Sequence, residues 1–382
     1  MKKGVFKSIG LILVIVMICS LMAACGSDTP AAPASTGGDA PAPPPSDDGR
    51  VFVVDAAYAA GEPVTRSWTG ALEEIVRRSN GRITVNHHYA GSLLTFPAIP
   101  RGMLDGVAQW AYLPSNNFPD ALPLSCRILQ MPFMGLRDPL DSAEIMMQLM
   151  DEFPEIAGEF AQFNMIPLSV SPLWAYHLHL IDDIEVRQPS DLSGRTINPY
   201  KPELQQMLDK FNVGISYIPP GQMFENLERG VVGGYINTWA FAQWFGLHTW
   251  LKQHVIAFEH GFWQEFFFYA VAKDFYESLP ADLQQIWHDV HRNEQVEAFD
   301  GMRGYEFMWE ETKSFIDWQM NYATENNNLF VNLTPAEAEV WRDEMAYTHE
   351  LVLDEINEQR GDQVATAIYN RARELITQKY GS

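Results

Sequence analysis

Val51–Ala56 is a largely apolar run that reads as a strand, and beyond it the apolar residues recur with the period of a helix. Val64, Trp68, Leu72, Ile75 and Val76 share one face, and Asn80-Gly81 stands where a helix C-cap belongs. Ile83, Val85 and His87 next alternate with Thr84 and His88, so the two histidines point to opposite sides of one strand. A short helical stretch after Gly91 leads to a strand-like run at Val107–Ala111, which completes a βαβαβ unit. A second unit begins at Thr196-Ile197-Asn198. Leu204, Met207, Leu208 and Phe211 keep helical spacing, Ile215–Ile218 reads as a strand, Phe224 and Leu227 open another helix, and Val231–Asn237 reads as the next strand. From Pro280 onward the pattern is helical, with Thr334-Pro335-Ala336-Glu337 forming a capping box with proline in the first turn. Two α/β units followed by a helical remainder long enough to span both predict an α/β protein of two lobes with a ligand cleft between them. The first lobe covers residues 51–172, with 258–280 returning to it. The second covers 173–257, and 281–382 packs on both.

The first fifty residues follow other rules. Lys2, Lys3 and Lys7 precede an apolar run, Ile9–Met22, which is short for a membrane span and ends at Ala23-Ala24-Cys25. This order reads as a secretion leader over residues 1–24. The small residues before the cysteine resemble a bacterial lipobox, with Met22 where leucine is usual, so Cys25 is expected to be acylated and to hold the protein to a membrane. Residues 25–50 are almost wholly Ala, Pro, Gly, Ser, Thr and Asp, a composition that buries too little apolar surface to order itself, and they read as a tether.

Charge and cysteine content narrow the function. The formal net charge is −23, which argues against nucleic acid as a partner. Cys19 leaves with the leader and Cys25 is the lipid site. Cys126 alone remains, and no disulfide or cysteine metal cluster is expected. In sheets of parallel character the binding groups sit where strands end, which singles out Tyr58, Tyr89, Trp110 and Tyr112 in one lobe and Asn198, Tyr235, Asn237 and Trp239 in the other. Among the many aromatic residues Trp174, Tyr235 and Trp239 follow strand ends and are taken as ligand contacts, while most of the others are core. His288 and His291 lie three apart on a helix without a third ligand fixed beside them, and read as a solvated face.

Several blocks resemble the solute-binding proteins of tripartite ATP-independent periplasmic (TRAP) transporters. They are Ser79-Asn80-Gly81-Arg82-Ile83 with Tyr89-Ala90-Gly91-Ser92-Leu93, then Gln130-Met131-Pro132-Phe133, then Pro189-Ser190-Asp191-Leu192-Ser193-Gly194, and last Leu227-Glu228-Arg229-Gly230-Val231-Val232-Gly233-Gly234. The resemblance implies a periplasmic-binding-protein-like fold, capture of a small molecule by closure of the lobes, and delivery to a membrane permease of small and large integral subunits, with no cofactor. It also exposes a departure. The arginine by which most of the family grips a ligand carboxylate falls at Asn198 in this chain, and Arg195 stands on the opposite strand face. A neutral polar or amine ligand is therefore expected, the alternative being a carboxylate held by an arginine from elsewhere, such as Arg66 or Arg101. Tyr235-Ile236-Asn237 stands where the family often has Gln-Glu-Asn, so the carboxylate that ligates a metal in one branch is Ile236 and no metal is expected.

Enzyme motifs are absent: there is no G-x-S-x-G elbow, G-x-G-x-x-G, phosphate loop or H-E-x-x-H. A secreted glycoside hydrolase built on a carboxylate pair needs no such motif and is the competing enzyme class.

Overall fold

The computed structural model describes residues 49–58, 66–257, 261–293, 296 and 299–381. The leader, Cys25 and the tether up to Asp48 lie outside the described residues. Among those described, no helix is long and apolar enough to cross a membrane.

Two sheets form the body. The first has the order β2-β1-β3-β10-β4, from β1 (Phe52–Ala57), β2 (Ile83–His88), β3 (Trp110–Pro114), β4 (Met165–Ala175) and β10 (Gln264–Ala272). The second has the order β11-β9-β5-β8-β6-β7, from β5 (His177–Leu180), β6 (Thr196–Asn198), β7 (Gly214–Ile215), β8 (Gly234–Asn237), β9 (Gln253–Ile256) and β11 (Leu329–Asn332). β1, β2 and β3 run parallel, while β10 is antiparallel to both β3 and β4. In the second sheet β6, β7 and β8 are parallel and β5 is antiparallel to both of its neighbours. This is the two-lobed α/β architecture that the patterning implies.

Helices cover both faces of the first sheet, and its central strands β3 and β10 are buried in every position and mostly apolar. β10 is buried along its whole length: Phe266, Phe268 and Ala270 face a core with Leu149, Phe160 and Ile376, while Phe267, Tyr269 and Val271 face one with Leu72, Ile75 and Trp287. The second sheet is likewise packed on two sides, by Met207, Leu208 and Trp341 on one and by Phe241, Leu247 and Leu251 on the other.

The chain crosses between the sheets at two places that touch. β4 runs into β5 with only Tyr176 between them, and the return from β9 to β10 passes Phe262 and Trp263. The crossings are bonded to each other: the Tyr176 amide donates to the Trp263 carbonyl at 2.9 Å, and the Phe262 amide to the Tyr176 carbonyl at 2.9 Å. Gly261 makes this approach possible. Its φ is +65°, and a Cβ there would sit 2.5 Å from the Tyr176 carbonyl oxygen. Helix Gly304–Glu325 then packs against helix Arg66–Arg78, β4 and helix Trp239–Trp244, bridging the lobes a third time. Helix Tyr347–Arg360 touches both helix Pro123–Arg127 and the turn Pro202–Leu204.

The structure corrects several element boundaries. The strand expected at Val107 begins at Trp110, because Gly106 (φ +73°) and the Val107 amide, bonded to the Gly102 carbonyl at 2.8 Å, finish the preceding helix. The strand expected over Ile215–Ile218 keeps only Gly214–Ile215, since Pro219 and Pro220 cannot donate to a ladder. The strand expected from Val231 starts at Gly234, after Gly230 turns at φ +67°. The C-terminal region is not helical throughout, for β11 interrupts it and adds an edge to the second sheet, parallel to β9. The capping box at Thr334 and Glu337 is formed.

Candidate functional site

The aromatic residues at the strand ends of the first sheet form one cluster of tilted rings. Tyr58, just past β1 and fully buried, lies with its ring 4.9 Å from that of Tyr89 and 5.4 Å from that of Trp110, and Tyr112 is 6.2 Å away. The Tyr58 hydroxyl shares a hydrogen bond with His87 Nδ1 at 2.9 Å, and burial lowers the His87 pKa. His88, on the other strand face, meets Asp55 at 2.8 Å.

The corresponding ends in the second sheet hold a chain of hydrogen bonds whose direction is fixed. His179 Nε2 lies 3.1 Å from the Asn237 carbonyl, which can only accept, so Nε2 carries the proton. His179 Nδ1 is then an acceptor, and at 2.8 Å it accepts a hydrogen bond from the N–H of His254 Nδ1. His254 Nε2 in turn accepts from Asn328 Nδ2 at 3.0 Å. Both rings are neutral in this arrangement, as their burial requires: desolvation drives the pKa of His179 far down and that of His254 to about 3. Trp239 packs on both rings, with centroid distances of 4.9 and 4.6 Å. Tyr235 is buried against His179 and Phe241. Asn237 Oδ1 accepts from the Thr238 amide at 2.7 Å.

Asn198 ends β6 and is fully buried. Its amide nitrogen donates to the Ile218 carbonyl at 2.9 Å, and its Oδ1 accepts from the Tyr200 amide at 3.1 Å. The second bond, from a side chain to the backbone two residues on, closes an Asx turn. It steadies Tyr200 at φ +55°, a left-handed conformation that non-glycine residues seldom adopt.

That turn opens onto a cavity of about 280 Å³. Asn116, Cys126, Arg127 and Gln130 reach it from the first lobe, and Tyr200, Lys201 and Glu203 from the second. Tyr176 and Trp263 line it at the paired crossings, and Leu351 and Glu355 from the C-terminal helices. Arg127 is bound on two sides, by Glu203 at 3.1 Å and Glu355 at 2.8 Å. Lys201 makes neither hydrogen bond nor ion pair among the described residues. Its ammonium lies 5.2 Å from the centre of the Trp263 ring, and burial lowers its pKa although Glu203 works against the shift. Behind the wall Glu265 accepts from the Tyr176 hydroxyl and, at 3.2 Å, from the Asn116 amide; burial pushes its pKa up to about 7. Three buried polar atoms on the lining, Asn116 Oδ1, Gln130 Nε2 and the Tyr200 hydroxyl, have no hydrogen-bond partner among the described residues. Burial also raises the pKa of the Cys126 thiol, so it stays protonated.

The residues picked from strand ends thus gather in two groups, Tyr58, Tyr89, Trp110 and Tyr112 in one lobe and Asn198, Tyr235, Asn237 and Trp239 in the other, and none of them lines this cavity. The Trp174 side chain lies outside the described residues, as does that of Arg66. Arg101 turns back on its own helix to Asp105 at 2.8 Å. Arg195 pairs with Asp182 at 3.1 Å. The lining residues Lys201 and Tyr200 were three and two positions from Asn198, Gln130 opened the Gln130-Met131-Pro132-Phe133 block, and Arg127 stood three positions before it. Among the described residues no group of three His, Cys, Asp or Glu side chains is placed to hold a metal ion.

Residues 57–353 match the model of the bacterial extracellular solute-binding proteins, family 7 (DctP). The chain belongs to this family. No curated protein matches the chain at the sequence level. Solved TRAP solute-binding proteins share the family-7 fold. That of Rhodoferax ferrireducens T118, in complex with copurified benzoate, has a TM-score of 0.70 at 17% identity, covering 86% of this chain and 98% of its own. That of Bordetella bronchiseptica, with bound (R)- and (S)-mandelate, has a TM-score of 0.70 at 14% identity over 86% and 99%. That of Ralstonia eutropha H16, with bound (S)-2-acetolactate, has a TM-score of 0.68 at 17% identity over 85% and 99%. Family-7 proteins of this type are extracytoplasmic binders rather than catalysts.

Proposed function

We propose that the protein is the extracytoplasmic binding subunit of a TRAP-type secondary transporter, which takes a small organic solute into the cavity between its lobes and delivers it to a membrane permease of small and large integral subunits. The observation that carries this reading is the cavity itself. Its walls come from both lobes and from the two bonded crossings, so a solute seated there contacts both halves and favours their approach. Acylation at Cys25 and the tether of residues 25–50 would keep the body near the permease while letting it swing. Transport driven by an ion gradient needs no nucleotide, and no cofactor enters the scheme.

Asn198 has both ends of its side-chain amide committed to protein partners and Asn237 its Oδ1, so in this reading they shape the cleft from behind the solute. A carboxylate-pair hydrolase finds little support at the cavity, because two of its three carboxylates, Glu203 and Glu355 beside Asp120, are engaged by Arg127. Native mass spectrometry of the protein purified without unfolding tests the proposal. One small organic molecule per chain, lost on denaturation and accompanied by a lowered melting temperature, is the expected result. Release of sugars from a polysaccharide, with no solute retained or rebound, would refute it.

A further inference from the structure

A buried carboxylate sits where the chain passes from one lobe to the other. Glu265 is the second residue of β10, two positions past Trp263 of the return crossing, and it is 2% exposed. It accepts from the hydroxyl of Tyr176, the single residue of the outward crossing, and from the Asn116 amide in the turn after β3. Asn116 Nδ2 donates to the same Tyr176 hydroxyl at 2.8 Å. An ionised carboxylate accepts without a proton of its own, and hydrogen bonds to it are about twice as strong as those to a neutral group. The charge on Glu265 therefore draws the two crossings together.

The cation that favours this charge belongs to the other lobe. Lys201 stands on the turn after β6, its ammonium 5.2 Å from the centre of the Trp263 ring, and that ring stacks on Tyr176 with centroids 5.0 Å apart. The other ionisable groups around Glu265 are Tyr176, Cys126 and Arg127 on its own side and Tyr200 and Glu203 across the cavity, with Asp120 and Glu355 farther along the lining. Arg127 is held by Glu203 and Glu355. Burial keeps Cys126, Tyr176 and Tyr200 protonated, and Asp120 is exposed. Burial raises the Glu265 pKa to about 7, against the pull of the Tyr176 and Asn116 bonds and of the Lys201 charge. Parting the lobes carries Lys201 away and leaves burial less opposed, whereas bringing them together favours the ionised form.

We infer that Glu265 is a proton-linked latch of the lobe junction, which when ionised holds the crossings and Lys201 together and when protonated lets the lobes part, so that solute capture expels a proton. The inference rests on the solute-binding reading above, and it concerns the junction rather than the seat of the solute. The closed form binds the proton more weakly, so a solute that selects this form is held more tightly as the pH rises through about 7. Acid releases it. Proton affinity about tenfold weaker in the closed form, the low end of what one nearby opposite charge produces, makes solute binding about tenfold tighter above this window than below it.

Calorimetric titration of the full mature chain between about pH 6 and about pH 8, in two buffers of different ionisation enthalpy, reads both the affinity and the protons released. The probes are benzoate and (R)-mandelate, bound in two of the similar solved proteins, and the solute extracted from the denatured chain. The first two are ionised throughout this range, so any proton they expel comes from the protein. Wild-type protein is expected to bind at least one probe about tenfold more tightly at the upper pH and to release protons near the middle of the range. Glu265→Gln is expected to bind with one affinity throughout, that of the wild type at the lower pH, and to release none. Lys201→Gln keeps the carboxyl but removes the charge across from it. It is expected to release none whatever its affinity, and it serves as the second variant should melting curves show Glu265→Gln unfolded. A wild-type affinity independent of pH, or proton release undiminished in Glu265→Gln, would overturn the inference and leave the solute-binding role standing. Proton release undiminished in Lys201→Gln would overturn the link across the lobes. Binding of no probe, with no solute in the extract, would remove both readings.

Discussion

Acidifying the protein from pH 6.5 to 5.5 should cost it about 2 kcal/mol of stability, and the reason lies in its buried imidazoles. His179, His254 and His291, the last buried against Trp287 and not on the solvated face its sequence spacing suggested, are held neutral by desolvation, with pKa values of His254 and His291 lowered to about 3 and about 4. In the unfolded chain each titrates near its ordinary value of about 6.5. A folded pKa below the unfolded one means that the unfolded state binds more protons, so the stability these groups contribute is complete above about pH 6.5 and falls with the pH below it. Each forfeits about 1 kcal/mol over that unit, or about 3 kcal/mol together. Glu265 opposes them. With its pKa raised to about 7 the folded state takes up a proton that the unfolded carboxylate still refuses, which returns about 1 kcal/mol in the same window. His87 and His349, more mildly depressed, add to the loss, and Glu159, raised by burial, subtracts from it. Urea unfolding at half-unit pH steps measures the effect directly, and a constant m-value ensures that stability alone has changed. His254→Gln should flatten the slope by about one proton, near 1 kcal/mol per pH unit. Stability that is flat or rises between pH 6.5 and 5.5 would refute the neutral histidine chain from Asn328 to Asn237.

Other perturbations address the junction. Arg127→Met should destabilise the protein by about 3 kcal/mol, because Glu203 is left partly buried without its partner, and thermal melts monitored by circular dichroism would register it. Gly261→Ala forces a Cβ towards the Tyr176 carbonyl in a left-handed backbone and should cost about 2 kcal/mol, again read from melts. Asn198→Ala removes the Asx turn and should lower stability by about 1 kcal/mol while weakening solute binding, since the loop carrying Lys201 loses its brace; paired melts and titrations separate the two effects. Trp287→Ala empties the core beneath β10 and should cost about 4 kcal/mol without altering the cavity.

Much of the fold was legible in the sequence because periodicity and turn chemistry report on local burial. The change from strand to helix period after Ala56, the stop at Asn80-Gly81 and the capping box at Thr334 are all present as read. The antiparallel places of β10 and β4 were not visible, since strands buried on both faces lose the alternation that reveals them. The short edge strand β11 hid in a helical context for a similar reason: only its tertiary partner β9 marks it as a strand. The cavity was harder still. Lys201 was in plain view after Asn198, yet its meaning depends on Arg127 being claimed by Glu203 and Glu355, contacts between residues 76 and 228 positions apart. Strand ends were a sound place to look, but the side chains there packed onto one another, and the polar groups that face the open space sit on the loops that follow.

A crystal structure of the protein with its copurified solute would test the central claim most directly. The account predicts electron density for a small organic molecule within the cavity bounded by Asn116, Gln130, Tyr200 and Lys201, in contact with residues of both lobes. Density for a solute lodged outside this cavity, for instance between Tyr58 and Trp239, would contradict it.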